Sequence, residues 1–100
     1  MKVYDLLPVG EENAISRSDL AALIGLDDRT LRNQIQRERL AGAPILSSNQ
    51  HSGYFRPANT AETERFIRSM TGRGCEIIAV ARAIESTFLD ELGQERLPGF

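Results

Sequence analysis

Apolar residues recur at helical spacing in two short segments in the first half of the chain. In the first segment, residues 16–24, three large apolar side chains stand three and four residues apart and so share one helix face. Ser16, with Asp19 three residues later, is typical of a helix N-terminus, where a hydroxyl caps a free backbone N–H. The segment predicts a first helix whose inward residues are Leu20, Leu23 and Ile24.

A turn and a second helix follow directly. Gly25 stands just past the last inward residue and predicts a sharp turn, because glycine adopts positive φ without strain. We expect Asp27 to cap a helix over residues 28–40, since its carboxylate suits a helix N-terminus. Leu31 and Ile35 are four residues apart and point inward. Two helices joined by so short a turn predict a helix-turn-helix.

Polar side chains occupy the opposite side of the second helix. At about 100° per residue, Arg29, Asn33 and Gln36 share that side. Arginine can pair with guanine, and Asn or Gln with adenine, so these three are candidates for reading base edges of DNA. The neighbouring arginines are expected to contact the phosphate backbone, namely Arg32, Arg37 and Arg39. The alternative is an ordinary solvated polar face.

A hairpin is predicted after the second helix. Residues 45–46 and 54–55 are apolar and suit short β-strands, and the residues between them favour a turn. The tip, with Asn49, Gln50 and His51, is polar and has no carboxylate. Together with Arg56 it could lie along a phosphate backbone without repulsion, although an ordinary solvent-facing turn is the alternative.

The run AISRSDLAALIGLDDRTLRNQIQRERLAGAPILSSNQHSGYF resembles the winged-helix domains of biotin-repressor-type regulators. It is similar also to small winged-helix proteins of phages and prophages of Gram-positive bacteria, which share the GAPILSS…GYF wing and a long C-terminal helix. The resemblance implies DNA binding, with Arg29, Asn33 and the wing tip at the DNA-facing positions. One departure stands out: Glu38 replaces a usually apolar residue, and Leu40 replaces a usual charge.

Charge distribution refines this interpretation. The net charge of −2 would not by itself favour a nucleic-acid ligand. However, residues 29–56 carry five arginines and a single acid, Glu38, whereas residues 59–100 carry five arginines and seven acids. The basic charge is therefore concentrated on the second helix and the hairpin, which favours a selective DNA binder over a general one.

A long helix is predicted from Thr60 to Leu92. Its apolar residues are spaced for pairing with a second helix, and residues 66–92 are expected to hold a homodimer. The alternative is a break at residues 72–74, where two glycines would let the distal half fold back on its own body. The residues expected to carry the dimer are Met70, Ile77, Ala81, Ile84 and Phe88.

The sequence thus predicts a mainly α fold with a small β-wing: a winged helix-turn-helix over residues 1–58, a C-terminal helix over 59–92 and a flexible tail over 93–100. Double-stranded DNA is the expected partner of a transcriptional regulator or replication-associated factor, and a protein-interaction module is the alternative. The single cysteine, Cys75, fits a reducing cytoplasm and is expected to be a small buried residue. No catalytic, cofactor or metal-ligating pattern is recognisable, and no apolar run approaches membrane-spanning length.

Overall fold

The chain is mainly helical, with one small antiparallel sheet and a long C-terminal helix. The computed structural model describes residues 2–48 and 53–95, with side chains to residue 90. The described elements are two 3-10 helices, Tyr4–Leu6 and Glu11–Asn13, then α1 (Arg17–Ile24), α2 (Asp28–Leu40), β1 (Leu46–Ser47), β2 (Tyr54–Phe55) and α3 (Thr60–Glu95).

Local sequence signals position α1 and α2. The Ser16 hydroxyl accepts a hydrogen bond from the backbone N–H of Asp19 at 3.2 Å, so the predicted cap of α1 is confirmed. Gly25 ends α1 in the left-handed region at φ 81° and donates to the Ala21 carbonyl, as its position predicts. Asp27 is the N-cap residue of α2, as predicted, although its side chain makes no capping hydrogen bond there.

The core forms where α1 and α2 cross the N-terminal segment and the hairpin. Leu20, Leu31 and Ile35 are buried as their spacing predicts. Leu23 is not, since 62% of it is exposed, so its predicted inward position is wrong. An eight-residue helix covers the core with a narrow stripe, and here Leu20 with the partly buried Ile24 supplies it. The buried cluster is Val3, Leu7, Leu20, Leu31, Ile35 and Ile45.

The sheet pairs β1 with β2, with Leu46 opposite Phe55 and Ser47 opposite Tyr54. Beside this sheet, Ile15 and Tyr54 form an isolated antiparallel bridge and exchange backbone hydrogen bonds at 3.0 and 2.8 Å. Gly53, at φ 139°, precedes β2 where any Cβ would collide with the Ile15 carbonyl. Only glycine fits this crossing of two backbones.

The start of α3 is held by reciprocal hydrogen bonds. Asn59 caps the helix by accepting from the Glu62 N–H at 2.9 Å. The Glu62 carboxylate reaches back to the N–H of Ala58 at 2.8 Å and to that of Glu11 at 3.1 Å. These bonds, with nearby Arg65, hold the pKa of Glu62 below its usual range, although desolvation opposes them. Glu62 therefore joins the start of α3 to the segment that contains Glu11.

The helix α3 runs through both glycines of the 72–74 segment without a break. The break that the fold-back alternative requires is absent. Cys75 is exposed, so the expectation of a buried cysteine is wrong. The helix reaches Glu95, further than the expected end at Leu92, and the rest of the predicted tail lies outside the described residues.

The chain divides into two compact units, Met1–Ile67 and Arg68–Phe100, so the first turns of α3 belong with the N-terminal unit. Within residues 2–48 and 53–95, no helix combines the length and apolar content that crossing a lipid bilayer requires.

Candidate nucleic-acid interface

One side of α2 presents a continuous set of exposed side chains, five polar and one apolar, which we call the outer face of α2. The opposite side of α2 packs into the core, where Leu31 and Ile35 are buried. The three predicted base-reading residues are all exposed on this face, in successive turns of a regular helix. The face comprises Arg29, Arg32, Asn33, Gln36, Arg37 and Leu40.

The acid at the start of α2 is compensated by two arginines. The Asp28 carboxylate lies 2.6 Å from Arg17 Nε on α1 and 3.3 Å from Arg32 Nε one turn further along α2. The charge of Asp28, followed by a hydrogen bond with Tyr54, raises the pKa of Arg17. The three side chains together carry one net positive charge, so Asp28 does not make this end of the outer face negative.

The second acid of α2 is turned away from the outer face. Glu38 is only 7% exposed, and its carboxylate accepts hydrogen bonds from the backbone N–H groups of Val3 at 2.7 Å and Tyr4 at 3.0 Å. Gln34 Nε2 donates a third bond at 2.9 Å. Glu38 thus ties α2 to the N-terminal 3-10 helix.

The electrostatics of Glu38 follow from these contacts. Burial alone would raise the pKa of the carboxyl group. The bonds from Tyr4, Gln34 and Val3, with the charge of Lys2, outweigh burial and leave the pKa below its usual range. Glu38 therefore stays ionised near neutral pH.

Sequence reasoning treated Glu38 only as a departure from a family pattern. The available signal was its position, three residues after Ile35 and seven after Leu31, which continues the inward stripe. An acid on that stripe requires buried donors, and these come from the chain's N-terminus. The family pattern that has an apolar residue at the position of Glu38 has a charge at the position of Leu40. Here Leu40 lies at the end of the outer face with 79% of its surface exposed.

The predicted phosphate contacts on α2 fall into two groups. Arg32 and Arg37 are exposed, and the Arg37 guanidinium donates to Gln34 Oε1 at 3.3 Å. Arg39 is partly buried, and its guanidinium donates to the Ile45 carbonyl at 2.8 Å and to the Ser47 hydroxyl at 3.3 Å. Arg39 therefore joins the end of α2 to β1.

Two aromatic rings complete the surroundings of Arg39. Its guanidinium lies 5.7 Å from the centre of the Tyr54 ring on β2 and 5.0 Å from that of Phe66 on α3. Both distances are within the range of cation–π attraction. Arg39 thus has a structural function that sequence reasoning missed, and its phosphate contact stays a prediction.

The hairpin provides one further predicted cation. Arg56 donates from Nε to the Leu7 carbonyl at 2.9 Å, and its guanidinium lies 5.5 Å from the centre of the Tyr4 ring. The backbone of Arg56 also joins the N-terminal segment, since its N–H donates to the Pro8 carbonyl at 2.7 Å. The predicted tip residues Asn49, Gln50 and His51 lie outside the described residues.

The predicted pairing residues of α3 form a separate surface. Each is exposed, and none of them belongs to the buried core. They are Met70, Ile77, Ala81, Ile84 and Phe88.

Comparisons with protein-family models, with curated proteins and with solved structures return no match to this chain. Among the described residues, no group of three or more His, Cys, Asp or Glu side chains is placed to hold a metal ion. The functional interpretation therefore rests on the geometry of α2 and its surroundings.

Proposed function

We propose that residues 2–67 form a winged helix-turn-helix that binds double-stranded DNA in a sequence-selective way, with α2 as the recognition helix. The observation that carries this proposal is the outer face of α2: three exposed arginines and two exposed amides, on a helix whose acids are either paired or buried. A helix held this way by a rigid partner helix is a common means of presenting side chains to the major groove.

The chemistry of the outer face assigns separate roles to its residues. Arg29, Asn33 and Gln36 can make the bidentate hydrogen bonds that distinguish guanine and adenine from other bases. Arg32 and Arg37 lie to either side of them around the helix, where the walls of a groove would bring phosphates. Leu40, which no sequence argument included, could contact a thymine methyl group.

The distribution of acids supports the same assignment. A carboxylate facing DNA phosphates is repelled, so a recognition face should be free of unpaired acids. Glu38 meets this condition because its charge is used inside the protein, and Asp28 meets it because two arginines share its charge. The basic outer face is thus compatible with a net charge of −2 for the chain.

The β1–β2 hairpin is the proposed wing. It is fixed to the body along β2 and the residue after it, through the bridge of Ile15 with Tyr54 and that of Val9 with Arg56. A rigid hairpin next to a recognition helix can contact the backbone of the same duplex. Arg56 would contribute to this contact chiefly by holding the hairpin to the N-terminal segment.

A protein partner is the second candidate for this surface. Leu23 on α1 and Leu40 on α2 are large apolar residues with 62% and 79% of their surface exposed. Exposed leucines of this kind favour an interface with protein, where an apolar contact excludes water. The experiment below separates the two candidates.

The proposal is tested by selecting binding sites from randomised duplex DNA and measuring affinity for the selected site at two salt concentrations. Replacing Arg29 or Asn33 with Ala should weaken binding to that site by about 1–3 kcal/mol and relax selectivity at one base position. Replacing Arg37 with Ala should weaken binding to all sequences alike and lower the salt slope by about 0.9. Arg68→Ala, an exposed arginine outside the outer face, is the matched control and should change neither.

Two results would contradict the proposal. One is the absence of an enriched motif together with a Kd above the micromolar range at low salt. The other is an enriched motif whose affinity is unchanged in the Arg29 and Asn33 variants. If Leu23→Ser and Leu40→Ser instead abolish binding to a protein partner while DNA binding is absent, the second candidate replaces the first.

A further inference from the structure

The distal half of α3 carries a stripe of exposed apolar side chains. Six of its large side chains have between 42% and 69% of their surface exposed. On a continuous helix they fall within a single arc, because they are spaced three, four and seven residues apart or lie immediately beside those positions. They are Met70, Ile77, Ile78, Val80, Ile84 and Phe88.

The centre of this arc alternates between large and small residues as far as Ile84, which is followed by a second large residue, Phe88. Taken in steps of four and three, it reads Met, Gly, Ile, Ala, Ile, Phe along the helix from Met70 to Phe88. Steps of this size are the core positions of a coiled coil. The two small residues, Gly74 and Ala81, leave hollows in the stripe that a single helix does not fill.

We propose that this stripe pairs with the same stripe of a second copy of the chain, and that the two helices run antiparallel about a two-fold axis at Ala79. In that arrangement each core residue faces the residue equally far on the other side of Ala79. Met70 then meets Phe88 of the partner subunit, and Ile77 meets Ala81 of the partner subunit. Gly74 meets Ile84 of the partner subunit, so each hollow receives a branched side chain.

The parallel arrangement fills space less well. In register, it would bring Gly74 against its own copy and Ala81 against its own copy, which leaves two voids in the seam. It would also bring Phe88 against its own copy, which crowds the end. Cores are most stable when large and small residues interdigitate at native density, so the alternation favours the antiparallel pair.

The residues beside the seam support the same axis. Ile78 and Val80 flank it on opposite sides and lie next to Ala79. In an antiparallel pair, a residue on one side of the core stripe contacts the residues on the same side of the stripe in the partner helix. Ile78 would therefore contact its own copy on one side and Val80 its own copy on the other. Burial at the centre of the antiparallel pair would explain why Ile78 and Val80, which lie beside the core stripe, are apolar.

The apolar area is sufficient for a stable pair. Burying six large side chains at roughly 100 Å² each gives about 600 Å² per chain, or about 1,200 Å² for the pair, which reaches the range of specific interfaces. Ile84 and Phe88 border a shallow groove with Ala83 and Thr87, where Met70 and Gly74 of the partner subunit would sit. The partner that covers the apolar stripe is thus a second copy of the chain. This proposal does not depend on DNA binding.

Disulfide formation between single-cysteine variants tests the orientation. In a Cys75→Ser background, neither Met70→Cys nor Phe88→Cys should cross-link alone, because each residue would lie about 27 Å from its own copy along the antiparallel pair. An equal mixture of the two should form the mixed disulfide in a glutathione buffer, since facing residues can meet the required Cβ separation. Ser86→Cys, on the opposite side of the helix, is the control that should not cross-link in any mixture.

Val80→Cys in the same background keeps a small apolar side chain at its site and should cross-link to its own copy across the two-fold axis. If Met70→Cys and Phe88→Cys weaken the association of the two helices, the Val80→Cys variant still distinguishes the antiparallel from the parallel pair. Cross-linking of Met70→Cys alone, with no mixed product, would establish a parallel pair and overturn the proposal.

Sedimentation of the intact chain tests the occupant. We expect a dimer at micromolar concentration, and Ile84→Asp with Phe88→Asp should yield a monomer, whereas Ser86→Asp should leave the dimer intact. A monomer at high micromolar concentration for the unmodified chain would overturn the proposal, and so would a closed tetramer without the Val80 cross-link.

Discussion

Removing the carboxylate of Glu38 should destabilise the N-terminal unit strongly, although a charged side chain is rarely buried in a core. Its oxygens accept three hydrogen bonds, two from backbone N–H groups, and one of these donors belongs to Val3, which is 1% exposed. A hydrogen bond to a charged group contributes about 1.5–3 kcal/mol, and a buried donor left unsatisfied costs about 1–3 kcal/mol.

These contributions overlap, so we expect Glu38→Ala to lower the free energy of unfolding by about 3–5 kcal/mol. Glu38→Gln keeps one acceptor oxygen and the side-chain volume, and should lower it by about 1.5–3 kcal/mol. Either value is a large fraction of the stability of a domain of this size. Glu64→Gln, on an exposed carboxylate of α3, is the matched control and should change stability by less than about 0.5 kcal/mol.

Urea denaturation followed by tyrosine fluorescence measures this effect selectively, because both tyrosines, Tyr4 and Tyr54, belong to the N-terminal unit. The pKa of Glu38 is lower in the folded chain than its ordinary value of 4.5. The stabilisation is therefore complete above about pH 4.5 and is lost as pH falls through the folded pKa. Glu38→Gln should reduce this acid dependence, leaving the part that comes from Glu62, whose pKa is also lowered.

A loss of less than 1 kcal/mol in Glu38→Ala would refute the reasoning, as would an unchanged acid dependence in Glu38→Gln. Either result would mean that the N-terminal 3-10 helix is held by its apolar contacts alone.

Three further predictions concern the joints of the N-terminal unit. Gly53→Ala should destabilise it by at least about 2 kcal/mol, because the new Cβ would collide with the Ile15 carbonyl; equal stability by urea denaturation would contradict this. Arg39→Lys should cost about 1–2 kcal/mol in the same assay despite keeping the charge, since an ammonium group cannot reproduce the planar contacts with two rings and a carbonyl. Glu62→Gln should lower the free energy of unfolding by about 1 kcal/mol, and the Ala58 amide should exchange faster because its hydrogen bond to the carboxylate is weakened.

The hypothesis of DNA binding could be reached from residues close together in sequence, and so could much of the fold. The bounds of α2, the Ser16 cap and the left-handed Gly25 each depend on groups within one or two helical turns. The pairing of β1 with β2 likewise follows from two short apolar runs about a turn. These signals are local, so they can be recognised without knowing where any distant residue lies.

The sequence by itself therefore determined the order of the helices and strands, the inward residues of α2 and the composition of its outer face. Only the tertiary structure decided which groups satisfy the buried carboxylate of Glu38, because its backbone donors stand about 35 positions away near the N-terminus. It also decided that Arg39 contacts Tyr54 and Phe66, and that Leu23 is exposed. The physical reason is the same in each case. The contacts of these side chains come from residues far away in the sequence, and the spacing of apolar residues along one helix does not show which distant groups will lie next to it.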